Sequence, residues 1–195
     1  MPESEPSDEQ LMAAYVAGEQ FAFQQLFGRW APRIRRVYLR SGLRREDADD
    51  LVQQCFLQFH RARNDFRVGS RVHPWIYTIA LNLRRQLFRR RGRKPEEGLD
   101  LDVGEPRAPA IDPDAPLVAA TIRTALMRLP DPHREVIVLH WYEGLSFPEI
   151  AEILGGTATA MKVRAHRGYV KLRAELEAVG VTVDELRNYG GQVPP

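Results

Sequence analysis

The stretch LSFPEIAEILGGTATAMKVRAHRGYVKLR, residues 145–173, has the pattern of two short helices joined by a tight turn. Ala151 is small enough to lie against a neighbouring helix, Gly155 suits the left-handed turn that follows one, and Met161 returns an apolar side chain six residues later. That spacing closes a helix-turn-helix. Thr157 is placed to cap the second helix, its hydroxyl accepting from backbone N–H groups that have no partner inside the helix. From there Met161, Ala165, Gly168 and Leu172 recur at i, i+4, i+7 and i+11 and form one inward stripe. At about 100° per residue, Thr159, Val163, His166 and Val170 point away from it, flanked by Lys162, Arg167 and Arg173. A basic stripe alone also describes an amphipathic helix with a solvated face. Here residues 162–173 hold Lys162, Arg164, Arg167, Lys171 and Arg173 with no acid, behind a complete turn, and the partner that fits these features is DNA.

The chain of 195 residues is long enough for one large or two small cores, and 44% hydrophobic content is ordinary for a soluble protein. The net charge of +2 conceals a sorting along the chain. Residues 84–94 contain Arg84, Arg85, Arg89, Arg90, Arg91, Arg93 and Lys94, whereas residues 96–115 carry seven acids against Arg107 alone. Different segments are therefore expected to meet different surfaces. Cys55 is the sole cysteine, which rules out an internal disulfide and a cysteine-based zinc site and favours a small buried hydrophobe over a redox sensor. No apolar run approaches the roughly 18 residues of a membrane span, and the acidic start MPESEPSDEQ lacks the basic-then-apolar order of a secretory signal. A cytoplasmic protein with no membrane insertion is expected.

From the amino end, Ser7 with Gln10 three residues later signals a capping box for a short helix stopping near Gly18. A second helical pattern covers about residues 19–41, with Phe23, Leu26, Phe27, Trp30, Ile34, Val37 and Tyr38 near helical spacing and a bend expected at Pro32. A third covers about residues 45–63, and a fourth starts with Pro74 in its first turn and runs to about Arg91. No strand alternation or hairpin signal occurs, so the fold class is all-α. Residues 1–92 are expected to form one helical domain, and the Pro-, Gly- and acid-rich residues 93–115 a flexible linker. Residues 116–177 form a second helical domain in this reading, broken at Leu129-Pro130, with helices over 133–141, 147–154 and 158 to about 177. In the extension 178–195, Thr182 is placed to cap one turn through Arg187, and GGQVPP is expected to fray.

In the fourth helix Ile76, Ile79, Ala80, Leu83 and Leu87 form the expected buried stripe, while Thr78, Asn82, Arg85 and Arg89 line the opposite face. Ahead of it, in RNDFRVGSRVHPWIY, the rings of Phe66, Trp75 and Tyr77 alternate with Arg63, Arg67 and Arg71. Unpaired bases need such a mixture, a ring to stack on and a cation for each phosphate. Trp75 and Tyr77 suit a bundle core equally well.

Two basic units joined by an acidic tether make the chain resemble a bacterial RNA polymerase sigma factor of the sigma-70 family, extracytoplasmic-function group. EDADDLVQQCFLQF, residues 46–59, is similar to the family's region 2.2. HPWIYTIALNLRRQLFRRR, residues 73–91, is similar to regions 2.3 and 2.4, and LPDPHREVIVLHWYEGLSFPEIAEILGG, residues 129–156, to the start of region 4. The resemblance spans most of residues 8–175, with its motifs in the family's order. It implies a transcription initiation factor that binds core RNA polymerase and promoter DNA, with an anti-sigma factor as a further partner. Asp50, Gln53 and Gln54 match the positions that dock on the clamp helices of the polymerase's largest subunit, and their i, i+3, i+4 spacing shares one helical turn. An ordinary solvated face would have the same spacing. Asn82, Arg85 and Arg89 match the readers of the upstream minus-ten element, and residues 63–72, with Arg67 and Arg71 beside Trp75, match the loop that holds a flipped non-template base. Thr157, Thr159, Lys162, Val163, His166 and Arg167 lie on the helix that matches the reader of the minus-thirty-five element, where basic side chains meet guanine edges and Val163 meets a thymine methyl. The acidic linker matches the family's connector in the polymerase RNA channel; a plain spacer has the same composition.

Gln86 stands where the family commonly has aspartate, and Thr159, Ala160, Met161 and Val163 replace its common choices, so the family's base preference does not transfer. Neither a nucleophile–base pair nor a metal-ligand cluster is legible, and His60, His73, His133, His140 and His166 lack zinc spacing. The chain is thus expected not to be an enzyme and to need no cofactor or metal. Two other classes use the same features. In a conventional helix-turn-helix repressor or activator, residues 1–92 would sense a ligand or phosphate signal; in an antagonist that mimics a sigma factor, Arg85 and Arg89 would be dispensable.

Overall fold

A computed structural model describes residues 5–92 and 117–180, and every regular element in them is helical. The expected linker 93–115, the turn from Thr182 and the GGQVPP tail lie outside the described residues. Two compact units divide the described chain, residues 5–36 with 46–92 and residues 37–45 with 117–180.

The first unit opens with α1, Asp8–Val16. Ser7 and Gln10 close the expected capping box: the Gln10 N–H donates to Ser7 Oγ at 3.2 Å and the Ser7 N–H to Gln10 Oε1 at 2.8 Å. Asp8 and Glu9 then place negative charge at the positive end of the helix dipole. Helix α2, Gln20–Arg40, runs through Pro32 as one element; Leu26, Trp30 and Ile34 are buried in its part within this unit, and Val37 and Tyr38 in the part that belongs to the second. Helix α3, Arg45–Arg61, buries Ala48, Leu51, Val52, Cys55, Phe56 and Phe59. A 3-10 turn, Arg63–Asp65, follows where the sequence reading extended the helix. Helix α4, Val72–Gly92, buries Ile76, Ile79 and Ala80 as expected, but Leu83 and Leu87 are only half-buried. Between them Arg84 is 1% exposed, its guanidinium 4.8 Å from the centre of the Phe88 ring. Such a side chain withdraws from solvent by lying along apolar surface and a π face.

In the second unit α5, Leu117–Arg128, is followed by α6, Asp131–Ile137. Arg134 is buried and donates through Nη1 to the carbonyls of Met127 at 3.0 Å and Leu129 at 3.3 Å, closing the end of α5. The helix expected over 133–141 widens into a π-helical turn, Val138–Tyr142. There the Leu145 N–H reaches the Leu139 carbonyl at 3.1 Å and His140 Nδ1 donates to the Leu145 carbonyl at 2.7 Å. Helix α7, Phe147–Leu154, starts on a second capping box, Ser146 with Glu149, and α8, Ala158–Glu177, completes the unit. Ala125, Leu126, Met127, Leu129, Ile137, Leu172 and Leu176 form one hydrophobic cluster of this unit.

Candidate nucleic-acid interface

The α7–α8 turn has the predicted chemistry. Gly155 and Gly156 take φ of 77° and 120°, backbone that costs a side-chain-bearing residue strain, and the Ala160 N–H donates to Thr157 Oγ1 at 3.1 Å. Met161, Ala165, Gly168 and Leu172 are all buried. Gly168 is there for approach: a Cβ at this position would lie 2.7 Å from Ile137 Cδ1 and 3.2 Å from His133 Cβ on α6. The inward stripe thus fixes the rotation of α8 about its axis and leaves Thr157, Thr159, Lys162, Val163, His166 and Arg167 exposed together. Val163 is 43% exposed, an apolar side chain among cations and hydroxyls. Thr157 spends its oxygen on the cap and keeps its O–H to donate.

Behind this face His133 Nδ1 is buried without a hydrogen-bond partner among the described residues. Burial, and then the charges of Lys171, Arg167 and Arg164, push the His133 imidazole below its ordinary pKa.

In the first unit Asn82 and Arg89 are exposed on α4, with Arg85 half-buried between them. Thr78, one turn ahead of Asn82, is half-buried, and its hydroxyl donates to the Pro74 carbonyl of its own helix at 2.7 Å. The two rings left open by the sequence part company. Tyr77 is core, edge-on to Trp30 at 5.5 Å, whereas Trp75 is half-buried between Phe59 and Phe66 at 4.9 and 5.1 Å. Phe66 thus pins the loop before α4, while Arg67, Val68, Ser70 and Arg71 stay at the surface around Gly69, whose φ is 90°. On α3, Asp50, Gln53 and Gln54 are exposed and Leu51, Val52 and Cys55 face inward, so the three polar groups form one surface.

Two residues that sequence reasoning passed over, Glu9 and Tyr15, reach the two ends of this loop. The Val72 N–H donates to Glu9 Oε1 at 3.3 Å, and Tyr15 hydrogen-bonds His60, whose carbonyl accepts from Arg63 Nη1 at 2.9 Å. No local pattern announces pairs 63 and 45 residues apart.

The family model for Sigma-70 region 2 matches residues 26–94, and that for Sigma-70, region 4 matches residues 119–172. The RNA polymerase sigma factor CarQ of Myxococcus xanthus is 37% identical over 162 residues, 83% of this chain and 93% of that one. The ECF RNA polymerase sigma factor SigM of Mycobacterium tuberculosis is 34% identical over 169 residues, 86% and 84% of the two chains. Among solved structures, CnrH in complex with the cytosolic domain of CnrY superposes with a TM-score of 0.69 at 30% identity, covering 88% of this chain and 97% of that one. The region 2 match occupies the part of the chain that a sensing regulator would devote to its signal. With both regions present in order and relatives of this identity over nearly their whole length, the chain belongs to the sigma-70 family of RNA polymerase sigma factors, in its extracytoplasmic-function group.

Proposed function

We propose that this sigma factor divides promoter recognition between its two units and leaves the chemistry of RNA synthesis to core polymerase. The exposed face of α8, Thr157 to Arg167, reads the minus-thirty-five element in the major groove. Asn82, Arg85 and Arg89 of α4, with Arg67, Arg71 and Trp75 at the loop, take the minus-ten element and an unstacked base. Asp50, Gln53 and Gln54 dock on the polymerase clamp. Domain limits near 1–92 and 116–177, an acidic connector between them and a cytoplasmic location complete the reading. The protein itself is not an enzyme. An anti-sigma factor is a partner on this reading, supported by the likeness to CnrH, solved with the cytosolic domain of CnrY.

The observation that carries the proposal is the packing of α8. Gly168 and the rest of the inward stripe leave a groove-reading row of Thr159, Lys162, Val163, His166 and Arg167 no direction but outward. The test is run-off transcription with purified core polymerase and a library of promoter fragments. Arg85→Ala with Arg89→Ala is expected to lower promoter opening about tenfold or more, equivalent to roughly 1.4 kcal/mol of lost contact, with polymerase binding unchanged. Equal loss of opening and binding rejects the minus-ten role.

A further inference from the structure

We propose that α1 braces the loop of residues 63–72 at both of its ends and so holds it in the shape that receives the extruded base. This rests on the assignment of that loop to base capture. Helix α1 lies ahead of residues 26–94, the span of the region 2 match.

The brace has two ends. At the carboxyl end of the loop, Glu9 Oε1 accepts from the N–H of Val72, the first residue of α4, at 3.3 Å. That N–H is one of the leading donors a helix cannot satisfy internally, and the carboxylate also faces the positive end of the α4 dipole. Burial pushes the Glu9 carboxyl up, but the backbone N–H groups of Glu9 and Val72, the Ser7 hydroxyl and the charge of His73 together leave it below its ordinary value. It is therefore ionised and a strong acceptor at neutral pH.

At the amino end Tyr15, on the last turn of α1, hydrogen-bonds His60 Nδ1. Arg63 Nη1 reaches His60 Nε2 at 3.4 Å and the His60 carbonyl at 2.9 Å. Arginine has no acceptor, so Nε2 receives, Nδ1 carries the proton, and His60 donates to the Tyr15 oxygen. The relay runs from the first residue of the 3-10 turn to α1 in one direction.

A brace also needs footing. Asp8 accepts from Trp30 Nε1 and Arg29 Nη1, each at 3.0 Å, and Arg29 Nη1 donates to the Pro6 carbonyl at 2.8 Å. Leu11, Met12 and Tyr15 are buried. Thus α1 is fixed to α2 and reaches both ends of the loop, while the intervening Arg67, Val68, Ser70 and Arg71 are exposed. Ordering those residues before the base arrives removes that entropic cost from the capture step.

The full-length variants Glu9→Ala, Glu9→Gln, Tyr15→Phe and Arg67→Ala with Arg71→Ala test this. Tyr15→Phe keeps the ring that packs 5.0 Å from Phe23 and loses only the hydroxyl. In the free proteins, amide exchange over residues 66–72 is expected to rise at least fivefold in Glu9→Ala and Tyr15→Phe, and little in Glu9→Gln, which keeps an acceptor oxygen. With core polymerase, the same two variants are expected to separate duplex promoter strands three- to tenfold more slowly, followed by fluorescence of 2-aminopurine at the extruded position. Polymerase affinity and minus-thirty-five protection should match the unmodified protein, and a mismatched, already open promoter should reduce the defect. Unchanged loop exchange overturns the brace, as does an equal loss of polymerase affinity. Should Arg67→Ala with Arg71→Ala slow opening while Glu9→Ala and Tyr15→Phe do not, the brace falls and the base-capture loop stands; should the arginine pair open strands normally, both fall.

Discussion

Gly168 shows how one residue sets the position of a whole reading face. In the middle of a helix glycine is disfavoured by about 1 kcal/mol relative to alanine, yet α6 comes so close that a Cβ would meet Ile137 and His133. Gly168→Ala therefore regains the propensity and incurs overpacking of roughly 1–3 kcal/mol. A net loss on the order of 1 kcal/mol is expected, measured by chemical unfolding; a gain in stability would mean that the helices have room to part. The periodicity of the sequence placed this glycine on the inward stripe, but only the packing shows why it is a glycine. Arg84 is the opposite case. It opens the basic run of residues 84–94 and reads as surface, while the structure buries it over Phe88.

Among the elements, the α6–α8 pair carries an unusual electrostatic load. His133 on α6 faces Arg164, Arg167 and Lys171 of α8, and burial together with those charges depresses its pKa. Between the folded-state value and the ordinary 6.5, the unfolded chain binds more protons than the folded one. This stabilising contribution is complete above pH 6.5 and is lost as pH falls through the lower folded value. Thermal unfolding from pH 7.5 to 5 is expected to show a falling midpoint, and His133→Gln should flatten that slope. An unaltered slope in the variant would assign the acid sensitivity elsewhere. The π-helical turn after α6 is another feature of elements in contact. Its widened hydrogen bonds accommodate His140, whose ring stacks on Phe147 at 4.3 Å, and nothing in the local apolar spacing distinguishes it from an ordinary helix.

For the molecule as a whole, the near balance of 28 basic against 26 acidic residues matters. A net charge of +2 gives weak general attraction to DNA. The chain by itself is expected to leave a promoter duplex unprotected at concentrations where its complex with core polymerase gives a footprint. Gln53→Ala should lower that protection through weaker polymerase binding, and Lys162→Ala with Arg167→Ala should reduce the salt dependence of upstream binding by about 0.9 per phosphate contact removed. Tight binding by the isolated protein would mean that its reading faces need no core polymerase to engage the duplex.

The sequence by itself determined what depends on near neighbours along the chain. The capping box at Ser7, the Gly155–Thr157 turn, the inward stripe and outer face of α8, and the exposed trio on α3 all follow from spacing and backbone chemistry. The tertiary structure decided what depends on residues brought together from afar: Tyr77 for the core and Trp75 for its edge, Arg84 inside, and Glu9 and Tyr15 at the two ends of a loop more than 40 residues away. Helical periodicity reports which side of an element is apolar; burial and hydrogen-bond partners are set by the surfaces packed against it.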